Sequence, residues 1–457
     1  MVDVTAVFDI GKTNKKFFLF DSNFKEVHRE YSRFEQIKDD DGYPCENLKD
    51  LSHWIRKVFE NILKGEQFNV KAINFSTYGA SLVHLDENGE PQTPLFDYNK
   101  PIDKNIESLF LKRYGPEQDL IKTTGTPLSG MLNSGLQLFW LKNTKPEIFK
   151  KIKYSLHLPQ YLSYMFTGIP LSEYTSIGCH TLLWNFRKKD YHEWVYKEGI
   201  NQKLAPIVSS ETSINMNYNG KRIKIGVGIH DSSAALLPYV RSIKKKFILL
   251  STGTWSIALN PFSKDTLNAD PSGGKEMIHY MRINGKPVKS TRFFLGNEYK
   301  IQVDRLSKKY GVPENHHKYV EFNYEYYQQI MENFEYQFKW EGFHDEDMPN
   351  KTSIKYLGFE QAYHQLMIEL VLLQVKHVKK VIGNDDIKKL YVDGGFSDND
   401  LYIKILSHFL RNMELKTTNS SLGSALGAAI VIADKELNSK FLKKNYALKK
   451  HVPFVIK

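Results

Sequence analysis

The sequence predicts a duplicated α/β fold, and three observations carry that expectation. The chain has 457 residues, too many for one hydrophobic core and suited to two domains of about 200 residues each. Two strand–turn–strand units open its two halves, the first around Gly11 and the second around Gly253. An amphipathic stretch over 359–382 then leads into the β-rich run Lys389-Leu390-Tyr391-Val392 and the turn Asp393-Gly394-Gly395. Helix, parallel strand and glycine turn in that order are the building unit of open α/β sheets.

The elements follow in order. Val4 to Ile10 is β-rich, Gly11-Lys12-Thr13-Asn14 turns, and Phe17-Phe18-Leu19-Phe20 resumes the strand. Asp21-Ser22-Asn23 turns again into a third strand over 26–33. Leu51, Trp54, Ile55, Val58, Phe59 and Ile62 recur at helical spacing and predict a helix over 48–63. A buried strand over 71–76 follows, then a hairpin arm, Leu82 to Leu85, closed by Glu87-Asn88-Gly89. In the second half, Phe247 to Leu250, the turn Ser251-Thr252-Gly253-Thr254 and Trp255 to Leu259 repeat the opening, and a helix over 400–411 follows Gly395. The boundary is expected between Val240 and Lys246, giving an N-terminal domain 1–243 and a C-terminal domain 244–457. Residues 261–355 show no pattern that orders them, and there is no short-period repeat.

Composition narrows the function. Hydrophobic residues at 41% and charged residues at 25% describe an ordinary soluble domain protein. The net charge of +11 favours anionic ligands such as nucleotides or sugar phosphates. Its lysines are scattered, and without an arginine-rich arm, zinc-finger spacing or an RNA-binding aromatic signature no nucleic-acid partner is expected. Cys45 and Cys179 cannot build a disulfide framework, and neither has metal-ligand spacing. The N-terminus has no signal-peptide pattern, and the apolar runs 368–375 and 425–433 are too short or too polar to span a bilayer. A cytoplasmic protein without a membrane partner, monomeric or homodimeric, is expected.

Three glycine turns at strand ends are candidates for handling phosphate. In Asp9-Ile10-Gly11-Lys12-Thr13-Asn14 a carboxylate ends a buried strand, and backbone N–H groups, a lysine and a hydroxyl follow. Such a turn can nest phosphate oxygens while Asp9 holds the water shell of Mg²⁺; it equally suits a plain β-hairpin. No Walker P-loop is present. Ser251-Thr252-Gly253-Thr254 is a second turn of this kind, and Asp393-Gly394-Gly395-Phe396 sits where a parallel strand enters a helix, the position at which open sheets bind nucleotides. Together, in this order, they say more than any one of them.

Ile225 to Ala235 runs from an apolar strand through Gly226-Val227-Gly228-Ile229-His230 to Asp231 and small residues that start a helix. A helix N-terminus favours the charged carboxylate, the form a general base needs. On spacing alone Asp231 fits a helix N-cap better than a base, and His230 a core or rim histidine better than a ligand contact.

The ordered set Asp9-Ile10-Gly11-Lys12-Thr13, Gly228-Ile229-His230-Asp231, Ser251-Thr252-Gly253-Thr254-Trp255-Ser256 and Gly394-Gly395-Phe396-Ser397 resembles the FGGY carbohydrate kinases, and within them the rhamnulokinase branch. Leu158 to Tyr164 with Thr167-Gly168, Glu173-Tyr174-Thr175 and Ser421-Leu422-Gly423 are similar to that branch too. The resemblance covers most of 4–260 and 388–433. It implies two actin-like, ribonuclease-H-type domains with a cleft between them that binds ATP and sugar and closes on them, excluding water. It implies Asp231 as the base that accepts the sugar hydroxyl's proton, with His230, Ser232, Gly79 and Asp97 at the sugar. Lys12, Thr13, Asn14, Lys15, Thr252, Gly253 and Thr254 would hold phosphates, Gly11 would make their turn, and Gly394, Gly395 and Phe396 would line the nucleotide site. Asp9 would carry Mg²⁺ through water.

Two segments depart from the family pattern. Phe96-Asp97-Tyr98-Asn99-Lys100-Pro101 has Asn99 near an expected aspartate and lacks the arginine, and Ser290 to Gly296 differs at a polar position that touches sugar. Both bear on the substrate and neither on ATP. The implied reaction is phosphorylation of a ketose such as L-rhamnulose or L-fuculose. A pentulose or polyol such as xylulose is the alternative acceptor, and an actin-like ATP-binding protein without sugar chemistry the alternative class.

Overall fold

A computed structural model describes residues 1–263, 277–341, 354–418 and 422–454. The chain divides into two compact units. Among the described residues the first holds Met1–Ile243, 277–288 and Leu422–Ser439, and the second holds the rest. By packing, two segments of the C-terminal half group with the first unit. Packing explains one of them: a side chain at Gly427 would come within 1.9 Å of the Ala234 carbonyl, so the helix Gly423–Val431 lies directly on Asp231–Ser242. The other is tied in where Ser233 Oγ donates to the Met281 carbonyl at 2.8 Å.

In the first unit β1 (Val2–Ile10), β2 (Lys15–Asp21) and β3 (Glu26–Ser32) form a meander. Then come α1 (Leu48–Lys64), β4 (Phe68–Thr77), α2 (Leu158–Thr167), β5 (Ser213–Tyr218), β6 (Lys221–Gly226), β7 (Ile229–His230) and α3 (Asp231–Ser242). The sheet order is β5-β6-β4-β1-β2-β3, with β4 parallel to both β1 and β6. The central strands are covered on both faces, so β1 and β4 are buried along most of their length, polar residues such as Asn74 and Ser76 included. Phe8 packs tilted against Phe17 at 4.7 Å and meets Trp54 of α1 edge-on at 5.5 Å. Fully burying Phe8 contributes roughly 1.5–3 kcal/mol. Asn47 caps α1 by accepting the Asp50 N–H, and Leu51, Ile55, Val58, Phe59 and Leu63 form its buried face.

The second unit repeats this layout with β8 (Ile248–Thr252), β9 (Ser256–Asn260), β10 (Pro287–Phe293), α4 (Leu295–Tyr310), α5 (Phe359–Ile382), β11 (Lys389–Gly394), α6 (Asp400–Phe409) and β12 (Glu414–Thr417). Its order β10-β9-β8-β11-β12 has the strand directions of β3-β2-β1-β4-β6. The duplication expected from the two opening turns is thus a duplication of sheet topology. Helix α5 is buried on most of its surface and is the core of this unit, where Ser256 Oγ and Tyr402 Oη both donate to the side-chain oxygen of Gln374, Oε1. Helix α7 (Gly423–Val431) returns to the first unit. Residue Ser421, part of one family-like motif, lies outside the described residues.

One local expectation is met and extended. The Glu87-Asn88-Gly89 turn closes a short hairpin: Leu85 bridges antiparallel to Pro91, the Asp86 N–H donates to the Glu90 carbonyl at 3.0 Å and the Gln92 N–H to the His84 carbonyl at 2.8 Å. On its other edge Leu82–Leu85 pairs antiparallel with Tyr154–His157, Leu82 opposite His157. All four of its residues are buried.

Candidate active site

The segment before Asp231 is fixed from three sides. Gly228 has φ of +86°, and a side chain there would meet the Pro159 carbonyl at 2.5 Å, so only glycine fits. Its N–H donates to Asn74 Oδ1 at 3.0 Å, while Gln160 Nε2 donates to the Val227 and Gly228 carbonyls. Strand β7 then pairs with the end of β4, His230 opposite Thr77, which sets where α3 begins.

The N-cap position is His230, without a side-chain capping bond, and Asp231 is the first helical residue. The capping role that spacing favoured for Asp231 is thus displaced by one residue. Its Oδ1 accepts from Ser232 N–H at 2.5 Å and Ser232 Oγ at 3.1 Å, and its side chain keeps 34% exposure. It sits in the first turn of a twelve-residue helix, at the positive end of the helix dipole. His230 Nε2 lies 3.2 Å from the same oxygen. Burial pushes this imidazole below its usual range, against the opposing fields of Asp231 and Glu173, so it is neutral at pH 7. Its backbone N–H donates to Thr175 Oγ1, which donates to the buried Glu173; Glu173 also accepts from Thr175 N–H, Ser176 N–H and Ser210 Oγ.

Gly79 joins this cluster. A side chain there would come within 3.0 Å of His230 Nε2 and 3.1 Å of Cys179 Sγ. The Tyr280 ring stacks on His230 at 5.5 Å with 21° between planes, a contact without a sequence signal because 277–281 show no ordering pattern. Asp97 and Lys12, expected at sugar and phosphate respectively, form one ion pair at 2.8 Å, and the ammonium sits over the Tyr78 and Tyr98 rings.

Around the first turn, Gly11 N–H donates to the Asn14 carbonyl, Asn14 Oδ1 accepts from Arg33, and Thr13 is exposed. The Lys15 side chain is a correction. It is buried, donating to Glu46 and the Lys12 carbonyl at 2.8 and 3.0 Å, so its ammonium is committed inside the fold. Asp9 is buried at the end of β1, opposite Ser76 of β4. Ser424 of α7 donates to its Oδ1 at 2.9 Å. Burial raises its pKa, with the Asp231 charge adding to the rise and Lys16 and Ser424 opposing it. Two mutually repelling carboxylates, one buried and incompletely neutralised, fit a hydrated divalent cation.

The second unit has its own cavity, about 1240 Å³, walled by Gly253, Thr254, Gly296, Asn297, Gly395 and Phe396 among others. Tyr299 and Phe322 add aromatic surface. Thr252 and Gly394 stand behind this wall, again a correction. Thr252 Oγ1 donates to the Asp393 carbonyl and accepts from Phe396 N–H. Gly394, at φ of +91°, would put a side chain 1.8 Å from the Thr252 carbonyl. Gly296 is the wall residue whose role the sequence did not reveal: its N–H donates to the Thr254 carbonyl, and a side chain would meet the Gly253 carbonyl at 2.2 Å. Gly296→Ala should therefore push the Gly253–Thr254 turn outward. The expected result is ATP affinity lowered by about tenfold or more, a loss of roughly 1.4 kcal/mol, by titration calorimetry. Unchanged affinity would separate this turn from nucleotide binding.

Residues 4–235 match the FGGY family of carbohydrate kinases, N-terminal domain, and residues 244–440 match the carbohydrate kinase FGGY C-terminal domain. A rhamnulokinase of Halalkalibacterium halodurans is 25% identical over 260 residues, covering 54% of each chain. One of Oceanobacillus iheyensis is 26% identical over 229 residues, 46% of this chain and 48% of that one. The chain thus spans about half the length of the curated relatives it matches. Among solved structures, a carbohydrate kinase from Novosphingobium aromaticivorans aligns at a TM-score of 0.77 with 22% identity, over 98% of this chain and 96% of that one. A ligand-bound xylulose kinase from Lactobacillus acidophilus aligns at 0.79 with 16% identity, over 99% and 94%. These two alignments speak for the actin-like two-domain fold, and the two family matches between them take in most of the sequence: this chain belongs to the FGGY family of carbohydrate kinases.

Proposed function

We propose that the chain is an ATP-dependent kinase that phosphorylates a hydroxyl of a ketose, with a 6-deoxyketohexose such as L-rhamnulose or L-fuculose as acceptor, acting in the cytoplasm as a monomer or homodimer. The observation that carries the reading is the Asp231 carboxylate, partly exposed at a helix N-terminus, beside the neutral His230 and the small Gly79. Kinship with rhamnulokinases over half the chain supports the choice of acceptor.

In this reading the sugar hydroxyl donates its proton to Asp231. Its oxygen forms the bond to the γ-phosphorus as the bond from phosphorus to the ADP oxygen breaks, and ADP leaves with that electron pair. His230 orients the sugar through Nε2, and Ser232 holds the Asp231 carboxylate in place. The Tyr280 ring backs His230 and keeps it from turning. Thr254 and the N–H groups of Gly253 and Gly395 would receive the phosphates of ATP, whose base would lie among Tyr299, Phe322 and Phe396. Asp9 would hold Mg²⁺ through water, and that ion neutralises charge on the phosphate oxygens.

A panel of ketoses, pentuloses and polyols assayed for ADP release with ATP and Mg²⁺ tests the proposal. L-Rhamnulose or L-fuculose should give the highest kcat/KM. A preference for xylulose would move the substrate to the pentuloses, and no stimulation by any sugar would defeat the kinase reading.

A further inference from the structure

Cys179, His180 and His230 bring their donor atoms within 4.8 Å of one another, and all three are buried. Cys179 Sγ is 3.1 Å from His230 Nε2, and Asp231 Oδ1 is 3.2 Å from that nitrogen. One thiolate, two imidazoles and one carboxylate are the donor types and the number that four-coordinate Zn²⁺ takes, whereas Mg²⁺ is held by oxygen. Bonds of about 2.0–2.3 Å set such ligands roughly 3.4–3.8 Å apart, so the widest pair among Cys179, His180 and His230 must approach by about 1 Å, and Asp231, 3.2 Å from His230 Nε2, would swing in as the fourth donor. The His180 Nδ1 bond to the Leu132 carbonyl, 3.0 Å, is the kind of outer-shell contact that holds a ligating imidazole. The exposed edge of Asp231 gives the cluster an opening to solvent.

We infer that Cys179, His180, His230 and Asp231 form a binding site for Zn²⁺ or a similar thiophilic divalent cation, and that its occupancy inhibits phosphoryl transfer. Binding releases the Cys179 thiol proton to solvent as sulfur bonds the metal. The bound cation takes up the Asp231 carboxylate and the His230 nitrogen, so no base remains for the sugar hydroxyl. Inhibition rests on Asp231 being that base; binding does not.

The test uses the full chain and Co²⁺ as the spectroscopic probe. One equivalent should produce a near-ultraviolet thiolate-to-cobalt band with intense visible bands of four-coordinate geometry, displaced by one equivalent of Zn²⁺. Cys179→Ser should abolish the thiolate band. His180→Ala should weaken Zn²⁺ binding by more than the roughly 10–100-fold that loss of an outer-shell partner costs. Circular dichroism and thermal melting establish that each variant is folded; should one fail to fold, Cys179→Ala in its place reads the same band. A weak six-coordinate cobalt spectrum, the same in wild type and Cys179→Ser, would overturn the site. In the second arm, Zn²⁺ at excess Mg²⁺ should suppress sugar-dependent ADP release in wild type, reversibly with a zinc-selective chelator. The Cys179 variant, relative to its own zinc-free rate, should resist. Equal suppression of both would overturn the inhibitory role, and a chain without kinase activity would still be judged by the cobalt spectrum.

Discussion

Asp231→Asn should lower sugar-dependent kcat by about 10²–10⁴-fold, the usual worth of a positioned general base, while ATP binds as before. Asparagine is close to isosteric with aspartate, and its carbonyl oxygen can still accept from the Ser232 N–H, so the start of α3 should survive. What it loses is the charge and the capacity to take a proton. His230 cannot substitute, because burial depresses its basicity and its Nε2 is turned to Asp231. Steady-state rates, ATP titration calorimetry and a melting curve together separate chemistry from folding. Normal turnover of the variant would show that the base is elsewhere.

Asp9→Asn should separate activity from stability in opposite directions. The reading gives Asp9 the water shell of Mg²⁺, and losing several kcal/mol of charge stabilisation corresponds to a fall of about 10²-fold or more in kcat. Stability should move the other way. The folded pKa of Asp9 lies above its unfolded value, chiefly through burial, so the unfolded chain gives up this proton at lower pH. Stability linked to this group is present below the unfolded pKa and is lost as pH rises through the folded pKa. Above the unfolded pKa the buried carboxyl therefore weakens the fold, and a neutral amide removes that cost. The variant should melt at or above the wild-type temperature near pH 7, the difference shrinking as pH falls through this window. A clear drop in melting temperature at neutral pH would mean that Asp9 is held as a structural anion, with its bond from Ser424 more important than any metal.

The sheet cores were legible because their signals are local. Apolar runs such as Val4 to Ile10 and Lys389 to Val392, and the helical spacing of Leu51, Ile55 and Phe59, need no distant partner to be read. Two places resisted for the opposite reason. Leu82–Leu85 precedes a turn that suits a hairpin, yet its second partner is a strand about seventy residues away. Ser424 and Tyr280 reach the candidate site from the C-terminal half, and nothing in their neighbours' spacing announces it. Lys15 shows a third limit. A lysine after a glycine turn reads as a phosphate ligand until Glu46 is seen to bury its charge. Cys179 lacks metal-ligand spacing in the sequence because His230 meets it only through the fold, at the end of β7.

The most direct measurement of the central claim is the mass spectrum of the sugar after incubation with the chain, ATP and Mg²⁺, using L-rhamnulose labelled with ¹⁸O at the reacting hydroxyl. A sugar phosphate that keeps the label in its bridging oxygen, formed in proportion to ADP, is the result expected if the sugar oxygen attacks phosphorus with Asp231 as base. ADP accompanied by inorganic phosphate and unmodified sugar would contradict it.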